Sequence, residues 1–287
     1  MTDLRPSPIA GTWYPGDPGI LMQSVDGQLA ASSVSALPGK VIAVIAPHAG
    51  HRYSGQVAAH AFRCLEDTHP EVVAVVSPLH QPYPAQVIAT SHEAYATPLG
   101  MISVDRGLLA RFGAELMRLA GIRLETIAHD QEHSLEIELP FLQRSLGSAF
   151  RLLPIMLRDQ SKPVARAVGQ ALTAVLKDSA AILVASSDLS HFYPDSVARR
   201  LDAELLARIE AFSPEAVLEA EDEGVGFACG RGAVAAVLWA AADLGANRVQ
   251  ILAYANSGDV TGDASSVVGY GAAVIYRTEA EDEPSGP

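Results

Sequence analysis

Cysteine is scarce in this chain: Cys64 and Cys229 are the only two in 287 residues. A disulfide framework in a chain this size would use more, so both read as reduced thiols. Basic residues are also few. Lys and Arg total 20 against 33 Asp and Glu, a net charge of -13, which excludes the clustered basic footprint of a nucleic-acid binder. No apolar run approaches the roughly 18–20 residues of a membrane span. Residues Met1–Gly16 lack the apolar stretch of a secretory signal, so no membrane association and a cytoplasmic location are expected. Two acidic clusters, Glu219–Glu223 and Glu279–Glu283, read as solvated surface. The second belongs to a tail over 278–287 that is expected to be frayed and disordered.

What is present is a large apolar share, 49% of residues, in which strand-like and helix-like patterns alternate. Three short runs rich in β-branched side chains, Val41–Ile45, Val72–Val76 and Ala180–Ala185, read as strands covered on both faces. Gln86–Thr90 reads as a further short strand, and Tyr95–Gly100 as a turn-rich connection. Leu152–Leu157 is expected at a sheet edge or bulge, because Pro154 cannot donate to a ladder. Val249–Tyr254 and Val267–Tyr276 follow each other without a helix, which suggests antiparallel pairing, and Gly269 and Gly271 suggest a close backbone approach.

Apolar periodicity places helices at Ile20–Ala31, Gln56–Leu65, Asp105–Ala120, Glu132–Leu146, Pro163–Leu176, Asp195–Ala211 and Ala233–Leu244. Asp17 with Pro18, and Ser213 with Pro214, are cap-and-first-turn signals. With no repeat of 20–50 residues and no clear linker, the expected fold is α/β. It is read as a single three-layer α/β/α domain over 1–287 with a mostly parallel, partly mixed central sheet. Residues 1–16, with Trp13 and Tyr14, form an arm packed on it.

The three main strands each deliver a histidine just past their ends. Pro47-His48 follows the first, Pro78-Leu79-His80 the second, and Ser186-Ser187-Asp188-Leu189-Ser190-His191 the third. In open α/β sheets, ligands bind at the carboxyl ends of strands. Cys229 precedes an alanine-rich helix, where backbone N–H groups favour a thiolate. Two imidazoles and a sulfur from separate loops make a three-ligand site for a transition metal with a position left open. The alternative is scattered histidines, each satisfied locally. Asp188 can orient His191 as a base or cap the turn; His133 and Glu136 can meet across one helical turn.

Other chemistries fit less well. His133-Ser134-Leu135-Glu136 is not HExxH, so a zinc protease fails on spacing. No GxSxG elbow surrounds Ser186 or Ser187, and the glycines near His48 match no nucleotide loop.

Several of these motifs occur together in one known order. Ala10-Gly11-Thr12-Trp13-Tyr14-Pro15, Ala46-Pro47-His48-Ala49-Gly50, Tyr53-Ser54-Gly55 and Ser77-Pro78-Leu79-His80 come first. Glu132-His133-Ser134-Leu135-Glu136, the Ser186–His191 segment and Cys229-Gly230-Arg231 follow. The chain thereby resembles the Memo family, also labelled AmmeMemoRadiSam system protein B, over about residues 5 to 276. That family is similar in fold to class III, LigB-type extradiol dioxygenases, which hold Fe(II) with two histidines and a glutamate. In Memo proteins a cysteine stands at the carboxylate's place.

The resemblance implies His48, His80 and Cys229 as metal ligands, with iron (Fe2+) as the metal and copper or zinc as alternatives. It implies His191 as the base, with Asp188 beside it; His51, Glu132, His133 and Glu136 are expected behind these residues from their positions in the chain. It implies either an iron-dependent oxidoreductase acting on a small-molecule substrate, or a metal- or ligand-binding protein acting through a protein partner, such as a radical-SAM system. Three positions depart from the family pattern: His51 stands for an aromatic residue, Gln81 for a second histidine, and Leu79 for a small polar residue.

Overall fold

The computed structural model describes residues 3–147 and 149–278. The expected tail lies outside them from residue 279 onward. In chain order the elements are β1 (Leu4–Arg5), α1 (Pro18–Ala31), β2 (Lys40–Ala46), α2 (His51–Arg63), β3 (Val72–Pro78), β4 (Val87–Thr90), β5 (Ala94–Thr97) and β6 (Gly100–Ser103). Then come α3 (Arg106–Ala120), β7 (Leu124–Ile127), a 3-10 turn (Glu136–Glu138), α4 (Leu139–Leu146), β8 (Arg151–Leu157), α5 (Lys162–Leu176), β9 (Ala181–Ser186) and β10 (His191–Tyr193). Last are α6 (Asp195–Glu210), α7 (Pro214–Asp222), α8 (Arg231–Asp243), β11 (Arg248–Asn256), α9 (Ser257–Thr261) and β12 (Val267–Arg277).

The central sheet runs β10-β12-β2-β9-β3-β8-β4-β7, with β11 on β12. Its middle, β2-β9-β3-β8, is parallel, while β12 joins β2 and β11 antiparallel, and β4 joins β8 antiparallel. This is the mixed α/β sheet that the strand patterns predict. The parallel strands are buried almost end to end, as continuous apolar runs require when helices cover both faces. Helices α1, α2 and α4 pack together, as do α3, α5 and α8, to form the two flanking layers. A second, three-stranded sheet, β1-β5-β6, carries the N-terminal arm.

Asp17 accepts the N–H of Ile20 with Pro18 in the first turn of α1, and Ser213 likewise caps α7. Gly269 and Gly271 face α6, where a Cβ would run into the carboxylate of Asp202 and the side chain of Leu206.

Four local expectations fail for physical reasons. Helix α2 begins at His51, directly after Gly50, and not at Gln56. Its buried face includes His51, Ser54 and Gly55, polar or side-chain-free positions that apolar periodicity does not count. The stretch Glu132–Leu146 is not one helix: regular α structure starts only at Leu139. Before it, the Glu132 carboxylate accepts the N–H groups of His133 and Ser134, a local bonding pattern that competes with helix formation.

Pro154 lies in the sheet interior, between β3 and β4. Its nitrogen is on the β4 side, and β4 meets β8 only at Met156 and Leu157, so no ladder bond is lost. The segment expected as a turn at Tyr95–Gly100 is the hairpin β5-β6.

Candidate metal centre

Strands β2, β3 and β9 end side by side, and the turn after β2 is fixed by a buried acid. The carboxylate of Asp188 accepts the N–H of His48 at 2.7 Å and of Ala49 at 3.2 Å. Asp188 thus caps the His48 turn and does not orient His191, whose Nδ1 donates to the Leu189 carbonyl at 2.8 Å. Burial pushes the Asp188 carboxyl up to about 7, against the pull of the His48 and Ala49 N–H groups.

The protonation of His48 follows from its neighbour. Ser186 has one hydroxyl proton and gives it to the Ser134 carbonyl at 2.6 Å. His48 Nδ1 lies 2.9 Å from the same oxygen, so this nitrogen is the donor. Nε2 keeps its lone pair and faces Cys229 Sγ at 3.0 Å. Burial, then His133 and His80, hold His48 well below the usual histidine range, which keeps the imidazole neutral.

His80 is arranged the same way by a carboxylate. Its Nδ1 donates to Glu132 Oε1 at 2.9 Å and its N–H to Oε2 at 2.6 Å. Burial alone would raise the Glu132 carboxyl. The bonds from His80 and the Ser134 N–H outweigh it and hold the group below the usual carboxylate range. A carboxylate behind an imidazole fixes its tautomer and raises its basicity as a ligand.

Cys229 reaches the same point from the start of α8. Its N–H donates to the Asp188 carbonyl at 3.3 Å, and its carbonyl accepts Gln160 Nε2 at 2.6 Å. Gly230 packs so tightly on Ser186 and Ser187 that a Cβ would collide with both. Burial first, and Asp188 next, push the Cys229 thiol up. The helix start alone therefore does not make a thiolate here; a bound cation would have to.

The ligand atoms of His48, His80 and Cys229 all lie within 4.8 Å of one another. One ion with bonds of about 2.0–2.3 Å bridges such a set with small side-chain shifts. The His48 Nε2 lone pair, the His80 ring nitrogen not bonded to Glu132 and the sulfur are the atoms left for it, so the residues fit a transition metal.

His133 borders this group. Its ring stacks on His80 with centroids 4.8 Å apart, meets His48 edge-on at 5.4 Å, and lies 4.0 Å from Trp13. Its Nδ1 is 3.3 Å from Glu132 Oε1, and burial lowers it to about 4. A second set of ligand-type atoms, His80, Glu132 and His133, is thus bound up in shared contacts to Glu132. His191 stands between the rings of Phe192 and Phe227. Burial lowers its pKa.

Two expected neighbours lie elsewhere. His51 points between Tyr14 and Phe141, donating from Nε2 to the Ile137 carbonyl at 3.1 Å. Glu136 does not meet His133. It binds Arg5 at 2.5 Å, Tyr14 at 2.7 Å and Ser7, tying down the N-terminal arm. Sequence reasoning missed the roles of Ser186, Gln160, Arg5 and Asp130, because they rest on partners 52 to 138 residues away.

A groove of about 710 Å³ opens at the other end of the strands, beside Lys40, Cys64 and Ala181. No set of ligand-type side chains is found there among the described residues, so the chemistry, not the volume, marks the site.

A family model described as Memo-like protein matches residues 5–274. The chain belongs to the Memo family. Its similar relatives include a MEMO1 family protein of Methanopyrus kandleri, 35% identical, with 95% of this chain and 99% of that one covered. Another, from Nitrosopumilus maritimus, is 34% identical over 94% of this chain and 98% of its own length. Among solved structures, an uncharacterised Escherichia coli K12 protein is more distant, with 16% identity, a TM-score of 0.45, and coverage of 81% of this chain and 99% of that one. Two departures from the Memo pattern have a visible place. Leu79 is buried, with its N–H on the Leu157 carbonyl, and His51 is buried in the α2–α4 layer. Neither side chain belongs to the grouped ligand atoms. Among the described residues, no helix is long and apolar enough to cross a membrane.

Proposed function

We propose that this Memo-family chain is a metal-binding protein with His48, His80 and Cys229 as its ligands. Fe(II) is the metal that the likeness to LigB-type dioxygenases implies, and copper or zinc suit the same donors. The observation that carries the reading is the proton arrangement. Ser186 and Glu132 occupy the two Nδ1 atoms, which leaves the other ring nitrogen of each histidine beside the sulfur, within the 4.8 Å cluster of ligand atoms.

The reading extends to a non-haem, dioxygenase-like oxidoreductase acting on a small molecule. Bound iron would supply Lewis acidity and an open position for oxygen or substrate. His191, with Nδ1 tied to Leu189 and its pKa lowered by burial, is the neutral base for a substrate hydroxyl. Asp188 holds the His48 turn in place. Ring cleavage does not follow from the fold.

A second reading, a metal- or ligand-binding protein that works with a protein partner and without turnover, draws on the sulfur. Cys229 gives the metal more charge than a carboxylate would and is itself oxidisable. Anaerobic metal loading, followed by oxygen consumption with a catechol panel, separates the two. We expect His191→Ala to keep its metal and to lose any turnover. Metal loss in that variant would remove His191 from the role of base, and no oxygen uptake by the loaded wild type would favour the second reading.

A further inference from the structure

Behind Glu132 lies a buried ion pair that begins in the N-terminal arm. Arg5, on β1, is 3% exposed. Its Nε and Nη2 donate to Asp130 at 3.1 and 2.5 Å, and Nη2 also reaches the Glu132 carbonyl at 2.8 Å. Asp130 Oδ1 in turn accepts the Glu132 N–H at 3.1 Å. Both backbone polar groups of Glu132 are therefore held by the Arg5–Asp130 pair. The third arm of the guanidinium binds Glu136 at 2.5 Å, and its face lies 4.9 Å over the Tyr95 ring. Trp13, later in the same arm, covers His133 with its ring, and its carbonyl accepts the backbone N–H of His51 at 2.9 Å.

We infer that Arg5 is a positioning residue of the metal centre: through Asp130 it fixes the backbone of Glu132, and so the carboxylate that sets His80. This rests on the metal reading above. The N-terminal arm then belongs to the centre although it contributes no ligand. A planar fork is needed, because one guanidinium must serve Asp130, the Glu132 carbonyl and Glu136 at once. By linkage the coupling runs both ways, so a bound metal holds the arm more firmly.

The test uses Co2+ as the probe, with affinity measured by chelator competition on the full chain. Arg5→Met is expected to bind about 10-fold more weakly, and Glu132→Gln about 10- to 100-fold. The double variant Arg5→Met/Glu132→Gln should match Glu132→Gln within about 3-fold, because the two act in series. Arg5→Lys keeps the charge without the fork and serves if the methionine variant does not fold; it too should bind more weakly. Hydrogen exchange at residues 3–14 of the wild type should slow when Co2+ is added.

Folded Arg5 variants that bind as tightly as wild type would overturn the inference, as would losses that add fully in the double variant, or unchanged exchange in the arm. A wild type that takes up no Co2+ would bring down the metal reading and this inference with it. Loss of binding in His48→Ala with none in the Arg5 variants would bring down this inference alone.

Discussion

His51 gives a sharp test of how the layer behind the site is built. The side chain is 3% exposed, and its Nδ1 has no hydrogen-bond partner among the described residues. Burial lowers it from the ordinary 6.5 to about 4, with the Ile137 carbonyl working weakly the other way. A depressed histidine binds its proton more weakly folded than unfolded. Its contribution to stability is therefore full above pH 6.5 and is lost as pH falls toward 4. Between pH 7 and pH 5 the loss from this residue alone is roughly 2 kcal/mol.

His51→Phe removes that term. The ring keeps its place between Tyr14 and Phe141, and any cost from packing or from the lost bond to Ile137 is the same at both pH values. His48 and His133 are also depressed, but they remain in both proteins and cancel. Urea unfolding of the metal-free proteins should therefore show the variant gaining roughly 2 kcal/mol on wild type between pH 7 and pH 5, or about 3 °C in Tm for a chain of this size. A difference that does not change with pH would refute the reasoning, since it would mean that His51 takes up its proton freely in the folded state.

Two further outcomes are expected. Ser186→Ala leaves the His48 Nδ1–H and the Ser134 carbonyl buried without their partner, so it should cost about 1–3 kcal/mol of stability and weaken Co2+ binding roughly 10-fold, read by urea unfolding and chelator competition. Because burial keeps Cys229 a thiol at neutral pH, metal uptake should release about one proton per chain. Calorimetry in buffers of different ionisation enthalpy measures this, and no release would contradict a sulfur ligand.

Much of the fold was legible because the parallel core announces itself in continuous apolar runs: β2, β3 and β9 all lie where Val41–Ile45, Val72–Val76 and Ala180–Ala185 place them. The approach of His48, His80 and Cys229 was legible from their positions after strands and before a helix, helped by the ordered Memo motifs. What stayed hidden is the polar support. Glu132 breaks the expected helix by capturing neighbouring N–H groups, a competition that periodicity does not record. Asp188 looks like a partner for His191 three residues on, yet its bonds go to His48 and Ala49 across the sheet. Arg5 carries no local signal at all, because its meaning comes from Asp130 and Glu136, which the fold alone brings to it.

The central claim is that two imidazoles and one sulfur share a single ion. The most direct test is an anaerobic Co2+ titration of the wild type, His48→Ala, His80→Ala and Cys229→Ala, following metal content together with the sulfur-to-cobalt charge-transfer band. The account predicts about one ion per wild-type chain with that band present, little or no uptake in either histidine variant, and loss of the band in Cys229→Ala. Equal uptake by all four proteins, or a wild-type complex without the sulfur band, would contradict it.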